Sequence, residues 1–426
     1  MSDMRDHPMR FNATNELHAR PFPLVSTSAR AAFFAYGNSD DDAERSDTAD
    51  WDHLIQLLDR FGAPHPAPNA KHYFGKLGKA WIKWERHAEF TTYTAIVDNL
   101  GKVPFDGSEF DVFPGDWLAS MPGVRLTSAA IRIESTASTK TIERHLKSHF
   151  VAESLAVSRV LDNAAVIAGD YRIDVYGHLR FAVFVAPTTG RNRIGRIVQR
   201  LNEIEVYKTM SMLGLFQARQ LSPKLSVVDE SMSELVAALS DEQVSAEENL
   251  NALLRMSAKL ESHSAEVAYR FAASKAYSAI VSQRIEVLRE ERFEGVQTFR
   301  EFMMRRYDPS MRTVQAMDSR LQDLIARAKR TGDLLRTRVN VARQGQNQDL
   351  LSSMNRRADM QLRLQKTVEG LSIVAVSYYA TGLALYLLAP IPSTFGIPKV
   401  FLTAAVVPVV VGAVYVALRR IRKNIN

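Results

Sequence analysis

Two long uncharged segments near the C-terminus limit what this chain can fold into more than any other feature. Residues 370–389 and 400–418 contain no Asp, Glu, Lys or Arg, although 24% of the 426 residues are charged. A helix needs about 20 apolar residues to span the hydrocarbon core of a bilayer. Neither segment has the polar stripe of a helix on the surface of a soluble core. The sequence therefore predicts a two-helix transmembrane hairpin with a basic tail over residues 367–426.

Basic residues flank the outer ends of this hairpin. The segment between the two spans contains only Lys399, whereas four basic residues precede the first span and four follow the second. Because Lys and Arg are retained on the cytoplasmic side, we expect both termini in the cytosol and the connection outside. The N-terminus lacks the apolar core of a signal peptide, which agrees with a cytosolic start. The flanking residues are Arg356, Arg357, Arg363, Lys366, Arg419, Arg420, Arg422 and Lys423.

Small residues recur on both predicted spans. Because small side chains let membrane helices approach closely, we expect a closed hairpin or a homo-oligomer. An ion path would favour intramembrane carboxylates or a carbonyl-lined filter, and the only ionisable residues in these segments are tyrosines. An anchor is therefore favoured over a pore. The small residues are Ser377, Ala380, Thr381, Ala384, Ala404, Pro408 and Gly412.

Proline is nearly absent from the long segment before the hairpin. Only Pro309 lies between Lys224 and Ala389, and apolar residues there recur at steps of three and four. This pattern predicts long helices with one narrow apolar stripe each, typical of a coiled coil or a helical hairpin. Residues 226–366 are thus predicted to form a coiled-coil-like stalk, with a hinge at Asp308 and Pro309 opening the second helix.

Residues 1–225 have a different pattern, with short β-rich runs bounded by Gly, Pro, Asn and Asp. Helical patterns lie between these runs at 48–61, 139–150 and 194–215, and residues 176–178 are expected to join two strands. Strands that pair locally, with helices interspersed, indicate an α+β domain whose sheet is covered on one face.

The sequence WERHAEF in this domain suggests a metal site. If it forms one strand, Glu85, His87 and Glu89 share a face, and their oxygen and nitrogen atoms suit a divalent metal. Charged residues that alternate on an exposed face also form ordinary pairs, and Lys83 and Arg86 lie nearby as counter-charges. Both interpretations remain open, and no cofactor is expected elsewhere.

Three further patterns contain residues of types that are common in catalytic, zinc-binding or phosphate-binding sites. Asn15, Glu16, His18 and Arg20 precede a proline and form either a polar site around His18 or an arm clamped to the domain. His145 and His149 have the helical spacing of a zinc protease, but Leu146 replaces the required Glu, so that activity is rejected. Gly190 and Gly195 have the spacing of a phosphate loop without its Lys and Ser/Thr, which leaves either a phosphate contact or a solvated basic turn. The basic residues of that turn are Arg191, Arg193 and Arg196.

The charge distribution points to lipid. Residues 327–366 contain ten basic and three acidic side chains, in a chain of net charge +7. Next to a cytosolic membrane face, such a segment attracts anionic headgroups at about 1 kcal/mol for each nearby charge. Without an interleaved aromatic pattern or a recognition module, no nucleic acid is expected as a partner. The absence of Cys excludes thiolate metal sites and Cys nucleophiles.

Four motifs resemble an uncharacterised bacterial family of predicted membrane-anchored proteins, domain of unknown function 3422. They are NELHARPFP (15–23), WIKWERHAEFTTYT (81–94), GRIVQRLNEIEVYKTMSMLGL (195–215) and TVEGLSIVAVSYYATGL (367–383). The resemblance implies attachment to the bacterial inner membrane and supplies no activity. The order of parts is also similar to CorA-type magnesium channels, but LLAPIPSTFGIP stands where their Gly-Met-Asn filter would be.

These observations lead to two hypotheses about function. The first is a membrane-anchored, non-enzymatic protein that acts as a scaffold, a sensor or an organiser of the envelope. The alternative is an oligomeric, CorA-like ion transporter that lacks the Gly-Met-Asn filter.

Overall fold

The structure is a computed structural model that describes residues 5–11, 14, 22–38, 46–68, 70–136, 138–238, 245–389 and 399–425. Its contacts divide the chain into two compact units. The first comprises residues 1–244 and 251–331, and the second comprises residues 245–250 and 332–426. The polar cluster from Asn15 to Arg20 lies outside the described residues.

The first unit contains a nine-stranded sheet, which confirms the α+β class. The strands are β1 (Ser28–Gly37), β2 (His72–Leu77), β3 (Ala80–Arg86), β4 (Phe90–Val97), β5 (Val124–Ser135), β6 (Ala156–Val160), β7 (Ala165–Gly169), β8 (Leu179–Val185) and β9 (Glu291–Arg292). Their spatial order is β2-β3-β4-β1-β5-β8-β7-β6-β9. The β5–β8 pair is parallel and the other neighbours are antiparallel. The two strands expected to be joined at residues 176–178 pair as β7 and β8, but the connection between them is longer than expected and runs from Asp170 to His178.

Helices pack against both faces of this sheet, so the prediction of one covered face was wrong. The helices α1 (Asp47–Arg60), α2 (Gly115–Ala119) and α3 (Thr139–His149) cover one face. Helix α4 (Arg191–Ala238) packs on the other face against β5 and the β3–β4 pair. All eight residues of β4 are buried, including its polar threonines. Polar residues at alternate positions of a strand usually indicate a face exposed to solvent, so the sequence did not indicate that helices cover this second face.

Three helices of the first unit pack side by side beyond the sheet. Helix α4 runs through Pro223, although interior proline normally interrupts a helix. The expected domain end at residue 225 therefore falls within α4. Lys224 on α4 contacts Glu266 on helix α5 (Ala246–Glu286), and Asp229 on α4 contacts Arg327 on a later helix. Much of the predicted apolar stripe is buried, including Leu253, Leu260, Val267, Val314, Leu321 and Leu324.

The segment 224–308 is not one helix, because α5 ends at Glu286 and β9 and helix α6 (Phe299–Arg306) follow it. Helix α7 (Asp308–Leu388) then begins one residue before Pro309, as predicted. A proline is favourable there because the first helical N–H groups have no partner within the helix.

The second unit contains the two apolar segments, both of which are helical. The C-terminal part of α7 and helix α8 (Lys399–Ile425) are long and apolar enough to cross a membrane. In their most apolar windows, 6% and 0% of the residues are buried. The two helices line a common groove, in which Ser377 on α7 is 6% exposed.

Candidate ligand pocket between the sheet and helix α4

The β3–β4 hairpin places four polar side chains under helix α4. Lys83 pairs across the strands with Thr94, and Glu85 pairs with Thr92. Because side chains alternate along a strand, Trp84 points to the opposite face, where it is fully buried in the aromatic core beneath α1. The hairpin thus has an apolar side and a polar side, and α4 covers the polar one.

Two hydrogen bonds connect this polar side to α4. Nζ of Lys83 donates to Oε1 of Gln199 across 2.9 Å, and Nδ2 of Asn202 donates to Oγ1 of Thr94 across 3.3 Å. Residues three apart on a helix lie on the same face, so Gln199 and Asn202 match the paired strand residues. Lys83 is 4% exposed and Asn202 is 7% exposed.

Ion pairs extend from both ends of this contact. Nζ of Lys83 lies 3.1 Å from Oε2 of Glu85. On the helix side, Nε2 of Gln199 donates to Oε1 of Glu203 across 2.8 Å, and Arg284 on α5 donates from Nε to the other carboxylate oxygen. Each carboxylate therefore has a cation beside it, which is what makes burial of these charges tolerable.

These residues surround a cavity of about 300 Å³. Aromatic and aliphatic side chains complete its walls, namely Phe22, Pro23, Phe33, Val198, Val206, Tyr207 and Val287, with His87, Thr92 and Arg200 as further lining residues. Oδ1 of Asn202 is buried and has no hydrogen-bond partner in the protein. Buried polar atoms are nearly always hydrogen-bonded, so this oxygen is an exception among the residues that line the cavity.

A segment from the N-terminal part of the chain contributes one wall. The backbone oxygen of Pro23 approaches Gly195 on α4 so closely that a Cβ atom on this glycine would lie 1.7 Å from it. Two residues later, the Val25 N–H donates to the Arg191 carbonyl across 3.3 Å. Gly195 therefore lies inside α4 at a point of close backbone contact, and not in a loop before the helix.

The charged groups that line the cavity carry a positive surplus. Lys83, Arg200 and Arg284 face two carboxylates, Glu85 and Glu203. Burial lowers the pKa of Arg200, and the neighbouring Arg196, Arg284 and Arg289 lower it further against the opposing effect of Glu203. Arg200 also donates to the Val287 carbonyl across 3.2 Å. The cavity wall therefore favours a negatively charged occupant over a positively charged one.

The three residues of the suggested metal site do not converge. Strand β3 ends at Arg86, and His87 and Glu89 belong to the turn before β4, so the expected single strand is wrong. Glu85 pairs with Lys83, as the charge-pair interpretation predicted. The His87 ring stacks on Phe90 at 4.4 Å between centroids. Among the described residues, no group of three His, Cys, Asp or Glu side chains is arranged to hold a metal ion.

Glu89 has partners that the local sequence did not indicate. Its Oε1 lies 2.6 Å from Nη2 of Arg270, and its Oε2 accepts a hydrogen bond from the Tyr277 hydroxyl. Both partners belong to α5, about 180 positions away, so only the tertiary fold brings them together. Burial and the contact with Glu89 raise the pKa of Tyr277. These contacts fasten the hairpin turn to the helical layer.

The basic turn at the start of α4 is occupied by protein contacts. Arg193 donates to the Leu161 carbonyl across 2.6 Å, and Arg191 lies 3.9 Å from Asp98. These arginines connect the helix to loops at the edge of the sheet. On α3, His145 lies 3.8 Å from Glu134 on the neighbouring strand β5.

A buried Ser–His pair was also not indicated by the sequence. Ser128 on β5 lies 2.9 Å from Nδ1 of His178, and the His178 ring stacks on Phe110 at 3.6 Å between centroids. Burial lowers the pKa of His178 to about 4, and Arg125 contributes in the same direction. Both side chains are less than a tenth exposed, so the pair holds the loop before β8 in place.

Comparison with protein-family models yields a match over nearly the whole chain. A family model described as a protein of unknown function, DUF3422, matches residues 5–425. No curated protein and no solved structure matches the chain.

Proposed function

We propose that this chain, which belongs to the DUF3422 family of proteins of unknown function, is a membrane-anchored protein with a non-enzymatic role. Its α+β unit acts in the cytosol as a sensor or scaffold, and α7 and α8 fix it to the bacterial inner membrane. Exposed apolar surface on these two helices is the observation that carries the proposal. Tyr386, Leu387 and Val400 are 83%, 79% and 76% exposed. Soluble proteins rarely expose a continuous apolar surface of this kind, whereas a bilayer would cover it.

Charge supports the orientation with both termini in the cytosol. The basic residues from Arg356 to Lys366 precede the first apolar segment, and Arg419 and Arg420 end the second. Cytosolic placement lets these side chains contact anionic headgroups, each contact contributing about 1 kcal/mol.

The cavity under α4 supports sensing over scaffolding alone. Its polar groups are held by both the sheet and the helices, so an occupant would contact both layers at once. Preformed concave sites of this kind are typical of small-molecule binding.

A second copy of the chain fits the exposed part of α7. Residues 341–368 are exposed throughout, and Leu351, Met354 and Ala358 lie on one side of this helix at steps of three and four residues. Such a stripe is typical of a coiled-coil seam. We therefore include a homo-oligomer joined along this stalk in the proposal.

The transporter alternative has one observation in its favour. Ser377 is 6% exposed in the groove between α7 and α8, and its Oγ has no hydrogen-bond partner. In an oligomer, a ring of such hydroxyls would line a polar path. Mass measurement in detergent separates the two hypotheses, because a ring-shaped path requires at least three copies and a coiled-coil anchor requires only two.

Membrane extraction tests the anchor. Membranes from expressing cells are washed first with about 1 M salt, which screens the charge contacts of surface-bound proteins, and then with alkaline carbonate. The full chain should stay in the membrane pellet, and a chain that ends at Gln365 should be released. Release of the full chain by either wash would overturn the proposal.

A further inference from the structure

We infer that the first apolar span, on α7, binds a second copy of the chain within the bilayer, through the helix face that carries Tyr378 and Tyr379. This inference deepens the anchoring part of the proposed function and rests on it. It concerns a contact inside the membrane, whereas the seam of the stalk lies outside it.

The two tyrosines lie near the middle of the span. Eight residues of the uncharged segment 370–389 precede Tyr378 and ten follow Tyr379. At about 1.5 Å per helical residue, both lie about 12 to 15 Å from the ends of the segment. Tyrosines of membrane helices are usually at the headgroup level, where the hydroxyl contacts water. In the middle of the bilayer, lipid chains offer the hydroxyl no hydrogen-bond partner.

Helix α8 does not supply partners at this depth. The middle of its apolar segment reads VVPVVVG (406–412), and no side chain in it can donate or accept a hydrogen bond. Of α8, Val407 and Val411 line the groove that it shares with α7. Pro408 leaves the Ala404 carbonyl without its N–H donor, but Ala404 lies near the outer end of the segment in the proposed topology.

The tyrosine rings are open to a partner from outside the hairpin. Tyr378 is 76% exposed and Tyr379 is 71% exposed. The two rings contact each other edge to face, at 5.7 Å between centroids. Within the part of the chain that the structure describes, neither hydroxyl has a hydrogen-bond partner. The unmet need for hydrogen bonds therefore lies on an accessible face of α7.

A second copy is the partner that matches these hydroxyls. A tyrosine hydroxyl both donates and accepts, so the same tyrosine of another chain can complete the bond. Copies with the same topology have parallel spans, which place each tyrosine at the same depth as its counterpart. The stalk and the first span belong to one helix, Asp308–Leu388, so copies that pair along the stalk also bring these spans side by side.

Small residues on the same face permit close approach. Ala375 lies one helical turn before the tyrosines and Gly382 one turn after them, so all four share one side of α7. Glycine weakens a helix relative to alanine. A Cβ atom at Gly382 would meet open space, so no contact among the described residues requires glycine there. Small residues are typical of positions where membrane helices pack against each other.

Cysteine cross-linking in isolated membranes tests this contact. The chain contains no Cys, so each single substitution introduces the only thiol. Ala375→Cys and Gly382→Cys should form disulfide-linked dimers when the membranes are oxidised with copper phenanthroline. Ser377→Cys is the matched control and should remain monomeric, because Ser377 is 6% exposed in the groove between α7 and α8.

Removal of the hydroxyls tests the hydrogen bonds themselves. The double variant Tyr378→Phe, Tyr379→Phe keeps both rings and should raise the dissociation constant of the dimer in lipid vesicles, measured by energy transfer between labelled full chains. We expect an increase of about three- to twenty-fold, the range for hydrogen bonds between membrane helices. Tyr415→Phe is the control and should leave the constant unchanged, because Tyr415 lies three residues from the end of the second apolar segment, near water.

Three outcomes would overturn the inference. They are cross-linking of Ser377→Cys alone, as a ring of Ser377 hydroxyls would produce, equal cross-linking at all three positions, and no cross-linking at any of them. An unchanged dissociation constant in the double variant would overturn it as well. Release of the chain by the carbonate wash would contradict the membrane anchor, whereas a chain that stays in the pellet without cross-linking would contradict this inference alone.

Discussion

Lys83 on β3 donates a 2.9 Å hydrogen bond from Nζ to Oε1 of Gln199 on α4, 116 positions later in the chain. This contact connects the sheet to the helical layer at the centre of the polar wall. Replacing Lys83 with Met leaves Gln199 and Glu85 without this buried partner. We expect Lys83→Met to lower the free energy of unfolding by about 2 to 3 kcal/mol, measured by denaturation of the full chain in detergent.

An exposed lysine on the same sheet provides the control. Lys76 on β2 is exposed, so Lys76→Met should change the free energy of unfolding by about 0.5 kcal/mol or less. Equal effects of the two substitutions would show that the Lys83 contact contributes little.

Gly195 should not tolerate a methyl group. The Cβ of alanine would lie 1.7 Å from the Pro23 oxygen, so the segment from Phe22 to Val25 must move away from α4. We expect Gly195→Ala to destabilise the protein by about 1 to 3 kcal/mol and to increase proteolysis near residue 23. Gly190 has open space around its Cβ position, and Gly190→Ala should leave both readouts unchanged. A Gly195→Ala protein with wild-type melting and proteolysis would contradict the close contact.

Two buried histidines should make stability depend on pH. Burial lowers the pKa of His53 to about 4, against the opposing effect of its contact with the Trp117 carbonyl at 3.1 Å. Burial and Arg125 lower the pKa of His178 to about 4, and Asp174 opposes them. The unfolded chain therefore binds more protons than the folded chain between about pH 6.5 and 4. Stability should fall as the pH decreases through this window and stay constant with respect to these groups above it.

Removing one histidine identifies its share of this pH dependence. His53→Gln should reduce the slope of melting temperature against pH between about 6.5 and 4 but not abolish it, because His178 and His149, whose pKa values burial also lowers, remain. The variant should also be less stable at pH 7.5, since the His53 ring stacks on Trp117 at 4.0 Å between centroids. His65 is exposed, and His65→Gln should retain the wild-type slope. An unchanged slope in His53→Gln would contradict the assignment.

The turn of the β3–β4 hairpin should be insensitive to chelators. His87 stacks on Phe90, Glu85 pairs with Lys83, and Glu89 pairs with Arg270. His87→Ala should therefore cost about 0.5 to 1.5 kcal/mol, the usual range for an aromatic stacking contact. EDTA should leave the melting temperature of the wild type and the variant unchanged. A drop in the wild type that is absent in His87→Ala would establish a metal site there.

Local pattern explains which parts of the fold were predictable. The uncharged segments, the stripe of Leu253, Leu260 and Val267, and Pro309 at the start of α7 each follow from spacing within one element. The covering of the second face of the sheet could not be predicted in this way, because Lys83 and the threonines of β4 have the polarity expected of a strand face exposed to solvent. The hairpin turn at His87 was missed because alternation continues through WERHAEF without a Gly or Pro.

The candidate site depended on contacts between distant residues. Glu85 and its neighbour Lys83 were recognisable from the sequence, since they lie two residues apart on one strand. Gln199, Asn202 and Glu203 were not, because residues of this kind on a helix usually face solvent. Only the packing of α4 on the sheet places them against Lys83 and leaves Oδ1 of Asn202 without a partner.

The central claim is that α7 and α8 anchor a cytosolic unit to the membrane. The most direct test is whether single introduced cysteines can be labelled from outside the cell. The chain contains no Cys, so one introduced thiol is the only target for a membrane-impermeant maleimide. We predict that Ser393→Cys, in the sequence between the two apolar segments, is labelled in intact spheroplasts. Lys76→Cys in the α+β unit should be labelled only after the cells are lysed. Labelling of Lys76→Cys in intact spheroplasts, or labelling of Ser393→Cys only after lysis, would contradict the account.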